Sequence, residues 1–148
     1  MSELQDLYQE VILDHNRRPH NFHSMNDGRK AEGYNPLCGD RLTVYLRVDD
    51  QNRIVDASFE GSGCAISKAS ASLMTDIVKG KTLEEANALF ERFHRMVTSS
   101  IDTPVDDVGK LSVLAGVRQF PMRVKCATLA WYALRAAAAS PDAVVSTE

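Results

Sequence analysis

Two alternating segments in the first half of the chain constrain its fold most strongly. Apolar and polar residues alternate over residues 41–48, and residues 49–52 supply a turn before an apolar segment at residues 54–59. A period of two predicts a half-buried β-strand, and the turn makes the next segment its antiparallel partner. A further strand is expected near residues 29–35. Because one face of so small a sheet must be covered, we expect helices to pack on it.

The rest of the chain carries helical signals. Apolar residues recur at helical spacing from the N-terminus to about residue 16, and residues 65–79 and the last segment before residue 140 are rich in helix formers. Predicted helix starts are marked by Ser2 with Gln5, Cys64, Thr82 with Glu85, Thr103 with Pro104, and Cys126. The chain is therefore expected to be a single α+β domain over residues 1–148. We expect a small antiparallel three-stranded sheet packed against a set of helices, with a frayed tail after about residue 140.

Composition limits the classes of function. A chain of 148 residues can bury one core without disulfides. Its net charge is −3 and it has no basic block, so we expect no nucleic-acid partner. The longest apolar stretch, at residues 127–139, contains Arg135 and is too short to cross a bilayer. The acidic N-terminus has no apolar secretory segment, so we expect a cytoplasmic protein. In the cytoplasm, an odd number of cysteines such as these three indicates metal binding or catalysis rather than disulfides.

The three cysteines are the main candidate functional residues. Cys38 precedes Gly39 and Asp40, and alternate side chains of an extended segment point to the same side, so Cys38 and Asp40 can face one ion. Thiolates and carboxylates are both zinc ligands. Cys64 and Cys126 stand at predicted helix starts, where the helix dipole favours a negatively charged sulfur. From these residues alone, a metal or cluster site and three buried, inert cysteines both stay open.

Three motifs carry a family resemblance: Cys-Gly-Asp at 38–40, Gly-Ser-Gly-Cys-Ala-Ile-Ser at 61–67 and Lys-Cys-Ala-Thr-Leu-Ala-Trp at 125–131. In this order they resemble the IscU/NifU N-terminal/SufU family of iron–sulfur cluster assembly proteins, and the likeness extends from Leu7 to the final helix. Lys125 stands where the IscU branch has a histidine, and residues 119–125 lack that branch's Leu-Pro-Pro-Val-Lys motif. The segment between Cys64 and Cys126 is also longer, consistent with an insertion near residues 90–112, and in these respects the chain is similar to the SufU branch.

The resemblance implies a site and an activity. It places metal ligands at Cys38, Asp40, Cys64 and Cys126, with zinc as the bound metal. It also implies that Cys38 accepts persulfide sulfur from a SufS-like cysteine desulfurase, as a zinc-dependent sulfurtransferase would. The alternative is a scaffold on which a two-iron or four-iron cluster is assembled and passed to apo-proteins, with downstream iron–sulfur assembly proteins as partners. A third hypothesis, a structural zinc domain, is disfavoured because closed structural sites prefer cysteine and histidine to carboxylate.

The remaining candidates for ligands or bases are His15, His20, His23 and His94. The position of His15 near the end of the first helix is already explained by the helix dipole. Arg123 lies close to Cys126 in sequence and is either a contact of the site or a solvated charge. Trp131 and Tyr132 are expected to pack within the last helix.

Overall fold

Four strands and a set of helices form the part of the chain that the structure describes. The computed structural model describes residues 3–100, 102–104, 108–139 and 142–147, with side chains from residue 9 onward. The elements in chain order are α1 (Glu3–Arg17), β1 (Arg29–Asn35), β2 (Asp40–Val48), β3 (Ile54–Ser62), α2 (Ala65–Val78), α3 (Leu83–Thr98), a 3₁₀ segment (Gly109–Gln119), α4 (Pro121–Ala139) and β4 (Val144–Ser146). The α+β class is confirmed. No helix among the described residues combines the length and the apolar character needed to span a membrane.

The sheet has four strands in the order β3-β2-β1-β4. β1, β2 and β3 pair antiparallel, with Asn35 of β1 directly opposite Asp40 of β2. β4 runs parallel to β1, and the backbone N–H of Thr147 donates to the carbonyl of Tyr34 at 3.1 Å. The prediction of three strands was therefore wrong, and so was that of a frayed tail for residues 144–146. A segment of three residues is too short to show a strand period.

The alternating segments form the strands that their pattern predicted. Leu42, Val44 and Leu46 of β2 are fully buried. The turn after β2 is held by Asp49, whose Oδ1 accepts hydrogen bonds from the backbone N–H groups of Gln51 and Arg53. The predicted strand at residues 29–35 coincides with β1.

Helix α4 lies directly on β1. A Cβ atom built on Gly33 would come within 3.1 Å of Leu129 Cδ1 and 3.3 Å of Ala133 Cβ, so the two backbones approach as closely as a glycine permits. Helix α2 packs against α4, and the Ser70 hydroxyl donates to the carbonyl of Ala127 at 2.6 Å. These contacts bring the first turn of α2 and the second turn of α4 to the end of the β1–β2 hairpin.

The predicted helix caps have mixed outcomes. The capping box of Thr82 and Glu85 at the start of α3 is confirmed, with both reciprocal hydrogen bonds present. Ser2, the predicted cap of α1, lies outside the described residues. The short helix predicted after Thr103 and Pro104 falls on residues 105–107, which also lie outside them, and the next described element is the 3₁₀ segment.

Candidate metal centre

The turn between β1 and β2 carries the first two candidate ligands. Asn35 ends β1, and its carbonyl accepts hydrogen bonds from the backbone N–H groups of Cys38 and Gly39 at 3.3 and 2.9 Å. Gly39 has a φ of +73°, which a residue with a side chain rarely adopts, so the chain can reverse here within a few residues. Cys38 is exposed on this turn, whereas Asp40, the first residue of β2, is fully buried.

Cys64 is the N-cap of α2, as the sequence predicted. Its backbone N–H donates to Asp40 Oδ1 at 2.9 Å, which ties the helix start to the turn. The Ser67 hydroxyl donates to the Cys64 carbonyl at 3.1 Å and lies 3.7 Å from its sulfur. Gly63 is required beside them because a Cβ atom there would collide with Ser67 Oγ and come within 2.9 Å of Asp40 Oδ1.

Cys126 does not begin a helix, contrary to the prediction. Helix α4 starts five residues earlier, at Pro121, so Cys126 lies in its second turn and is buried. Proline is common at the first helical position because its missing N–H needs no partner there. The backbone N–H of Cys126 is consequently inside the helix and cannot support a charge on the sulfur. That sulfur instead contacts the Asn35 amide nitrogen at 3.7 Å.

These elements bring three of the four candidate ligands together. The sulfurs of Cys38 and Cys126 are 3.5 Å apart, and they and a carboxylate oxygen of Asp40 all lie within 4.8 Å of one another. Cys64 does not belong to this group of three, and it is linked to the group by the hydrogen bond from its backbone N–H to Asp40 Oδ1. Cys38, Asp40, Cys64 and Cys126 are called the ligand cluster below.

The ligand cluster has the chemistry of a cation site. Asp40 Oδ2 is buried and has no hydrogen-bond partner among the described residues. Buried carboxylate oxygens are normally hydrogen-bonded or bound to metal, because an unpaired one loses its hydration without compensation. Three sulfurs and one oxygen form a donor set that zinc accepts. The residues present therefore fit a zinc ion.

Hydrogen bonding sets the charges of the thiols in the metal-free protein. The neighbouring Cys126 thiol, with the Ser67 backbone N–H, lowers the pKa of Cys64 to about 6. The proximity of Cys64, together with burial, raises the pKa of Cys126. Between these two cysteines, Cys64 therefore ionises at the lower pH.

The four histidines have other neighbours. His15 Nδ1 shares a hydrogen bond with Ser72 Oγ at 2.6 Å, and the ring of His20 pairs with the Asp76 carboxylate. His23 Nδ1 lies 3.1 Å from the carbonyl oxygen of Ser24, and His94 packs edge-on against Phe90 of its own helix, α3. Within the described part of the chain, the group of potential metal ligands contains no histidine.

The side chains near Cys126 in sequence have diverse surroundings. The Arg123 guanidinium lies over the ring of Phe120, 4.5 Å from its centroid. Trp131 is fully buried and stacks on Phe90, as expected of a packing residue, and Tyr132 meets the same ring edge-on.

Two residues beside the cluster were missed by the sequence analysis. Asn35 is fully buried with its amide at Cys126, and Ser67 contacts Cys64. A serine three residues after an N-cap is a signal that a sequence offers, because it lies one helical turn away. Asn35 before a proline looks like an ordinary turn residue, and only its burial distinguishes it.

Comparison with known proteins identifies the family. Residues 7–140 match the family model described as NifU-like N terminal domain. The chain belongs to this family. The resemblance inferred from its three motifs is thereby confirmed.

Relatives within the family carry two kinds of name. The chain is 45% identical over 137 residues to the iron-sulfur cluster assembly scaffold protein IscU of Streptococcus pyogenes serotype M1, covering 93% of this chain and 86% of that protein. It is 40% identical over 141 residues to the zinc-dependent sulfurtransferase SufU of Bacillus subtilis, covering 95% of each. Among solved structures, a putative iron-sulfur cluster assembly scaffold protein for the SUF system from Fervidobacterium islandicum superimposes with a TM-score of 0.80 at 34% identity, over 90% of this chain and 98% of that one.

Proposed function

We propose that the chain takes part in iron–sulfur cluster assembly and binds one zinc ion through the ligand cluster. The observation that carries the metal site is the unpartnered, buried Asp40 Oδ2 beside closely spaced thiols. A divalent cation offsets the charges of the carboxylate and thiolates, which would otherwise repel one another. Zinc, when bound, keeps its thiolate ligands deprotonated at neutral pH.

We further propose that Cys38 accepts sulfur from a cysteine desulfurase. Cys38 is exposed on a turn beside Gly39. The space around Gly39 is open, because a Cβ atom built on it would have no heavy atom within 4 Å apart from those of its chain neighbours. Cys126 is buried within α4, and Cys64, although exposed like Cys38, is held at the start of α2 by its backbone bond to Asp40. Cys38 is therefore the thiol that another protein can reach with the least rearrangement. The similarity to a relative named as a zinc-dependent sulfurtransferase supports this role.

The transfer is an exchange between sulfur atoms. The Cys38 thiolate attacks the outer sulfur of a cysteine persulfide on the desulfurase, and a new sulfur–sulfur bond forms on Cys38. The donor's sulfur–sulfur bond breaks, and its electron pair leaves with the donor cysteine as a thiolate. Cys38 then carries a persulfide, and no external oxidant or reductant is consumed.

A scaffold for an iron–sulfur cluster is the second candidate function. The supporting observation is the similarity to relatives named as cluster assembly scaffold proteins. Thiolates suit iron–sulfur clusters as well as zinc, so the ligand cluster is compatible with both. Downstream assembly proteins would be its partners in that case.

Metal content and visible absorption of the aerobically purified protein separate the two candidates. One zinc ion per chain and no visible absorption are expected. A brown protein containing iron and sulfide would favour the scaffold, and a protein without metal after supplementation with zinc would refute the metal site.

Mass spectrometry after incubation with a cysteine desulfurase and cysteine tests the acceptor role. We expect one added sulfur atom on the Cys38 peptide of the parent and no stimulation of desulfurase turnover by Cys38→Ser. Val55→Ser, which changes a similarly exposed residue on β3, is the control and should behave as the parent. Added sulfur confined to Cys64 or Cys126 would contradict the assignment, and no added sulfur at all would favour a structural zinc domain.

A further inference from the structure

Asn35 contacts the ligand cluster with both ends of its side-chain amide. It is the last residue of β1 and is fully buried. Its Nδ2 donates to the Cys126 sulfur at 3.7 Å, and its Oδ1 accepts from the backbone N–H of Leu37 at 3.3 Å. The amide is thus shared between a buried thiol on α4 and the turn that leads to Cys38.

The backbone of Asn35 holds the same turn. Its carbonyl accepts the N–H groups of Cys38 and Gly39, and its Cα lies opposite that of Asp40 in the β1–β2 register. One residue therefore contacts or neighbours three members of the ligand cluster. The fourth, Cys64, is reached through Asp40.

The environment of Cys126 explains why such a donor is needed. Cys126 is buried, and its position in the second turn of α4 denies it the free N–H groups that a helix start offers. A hydrogen bond to a charged sulfur is stronger than one to a neutral thiol. The Asn35 amide is the donor that reaches this buried sulfur from the end of β1, at 3.7 Å.

We propose that Asn35 is a positioning residue of the metal centre. Its amide N–H orients and stabilises the Cys126 thiolate as a fixed ligand, while its Oδ1 and carbonyl set the turn that presents Cys38. The inference rests on the proposed metal site and assigns separate tasks to the two ends of one side chain. Removing a hydrogen-bonded partner of a metal ligand typically lowers the affinity for the metal by about 10- to 100-fold.

Two substitutions separate the tasks. Asn35→Leu has a similar branched shape and removes both the donor and the acceptor. Asn35→Asp keeps an oxygen for Leu37 but, when ionised, has no proton to donate to sulfur. Asn87→Leu is the control, because Asn87 is exposed on α3.

The readouts are the affinity for zinc, from competition with a chromophoric chelator, and the absorption of the protein loaded with Co²⁺. Both Asn35 variants should lose zinc affinity by about 10- to 100-fold, and Asn87→Leu should not. Their sulfur-to-cobalt charge-transfer bands should move to longer wavelength, because a sulfur without its N–H partner gives up electrons more easily. A purely structural role would lower stability without moving these bands.

The outcomes distinguish this inference from the proposed function. Cobalt bands and zinc affinity of Asn35→Asp equal to those of the parent would overturn the donor role of Asn35 and leave the metal site standing. A parent protein that takes up neither ion would overturn the metal site and this inference together. If Asn35→Leu does not fold, Asn35→Asp alone tests the donor role of Asn35, since it preserves the bond to the turn.

Discussion

Replacing Asp40 by asparagine should stabilise the metal-free protein. The substitution keeps the shape of the side chain and the Oδ1 that accepts the Cys64 N–H at 2.9 Å. It replaces the buried, unpartnered Oδ2 by an NH₂ group, which can donate to the neighbouring sulfurs. An unpaired buried acceptor costs about 1–3 kcal/mol, so the free energy of unfolding should rise by about that amount. For a chain of this size, each kcal/mol moves Tm by roughly 2–4 °C.

The zinc-loaded protein should respond differently. In the parent, zinc binding stabilises the folded state through the bonds to its ligands and also gives Oδ2 a partner. In Asp40→Asn, the NH₂ group that replaces Oδ2 already has hydrogen-bond partners without zinc, so zinc binding cannot add that second contribution. Three soft thiolates should still hold zinc. The rise in Tm on adding zinc should therefore be smaller in the variant, by the equivalent of about 1–3 kcal/mol.

Thermal unfolding of both proteins, with a chelator and with excess zinc, measures the two differences. Asp50→Asn, in an exposed turn, controls for the loss of one negative charge. A lower Tm of Asp40→Asn than of the parent in the presence of chelator would refute the reasoning, because Oδ2 would then be stabilised by something other than a bound cation.

Two further predictions concern the scaffold around the site. Gly33→Ala should lower the free energy of unfolding in urea by about 1–3 kcal/mol, because the new Cβ would press on Leu129 and Ala133 of α4; an unchanged midpoint would mean that α4 shifts freely on β1. Burial lowers the pKa of His15, so the unfolded chain binds more protons than the folded one, and stability should fall as the pH drops below about 6.5, the ordinary pKa of histidine. Urea unfolding with chelator at several pH values should show that the free energy of unfolding depends less on pH in His15→Gln than in the parent. An equal dependence on pH in both proteins would contradict the assignment.

Local signals in the sequence predicted much of the fold. The alternation in residues 41–48 predicted β2, and Thr82 with Glu85 predicted the start of α3, since both patterns depend on neighbours close in the chain. The start of α4 was placed too late because Pro121 was not recognised as a first helical residue. The fourth strand depends on pairing with β1, which lies more than 100 residues earlier in the chain, and a three-residue segment carries no period of its own.

The candidate site was predicted less completely than the fold. The residue types and turn positions indicated Cys38, Asp40, Cys64 and Cys126 as candidate ligands. The structure groups Cys38, Asp40 and Cys126 and places the start of α2 with Cys64 beside Asp40, and the binding of metal stays a prediction. Asn35 could not be found in the same way. Its importance arises from the packing of α4 over the end of β1, which is a tertiary property.

The short strand β4 also has a consequence for self-association. An edge strand with unpaired backbone groups is a template for pairing with another molecule, and short edge strands are one means of limiting this. β4 pairs with residues 32–34 of β1, so the outermost strand on that side is three residues long in the described part of the chain. At the opposite edge, the carbonyl of Asn21 accepts the backbone N–H of Phe59 in β3 at 3.0 Å. Both edges are thereby less open to intermolecular β-pairing than long, unpaired edge strands would be.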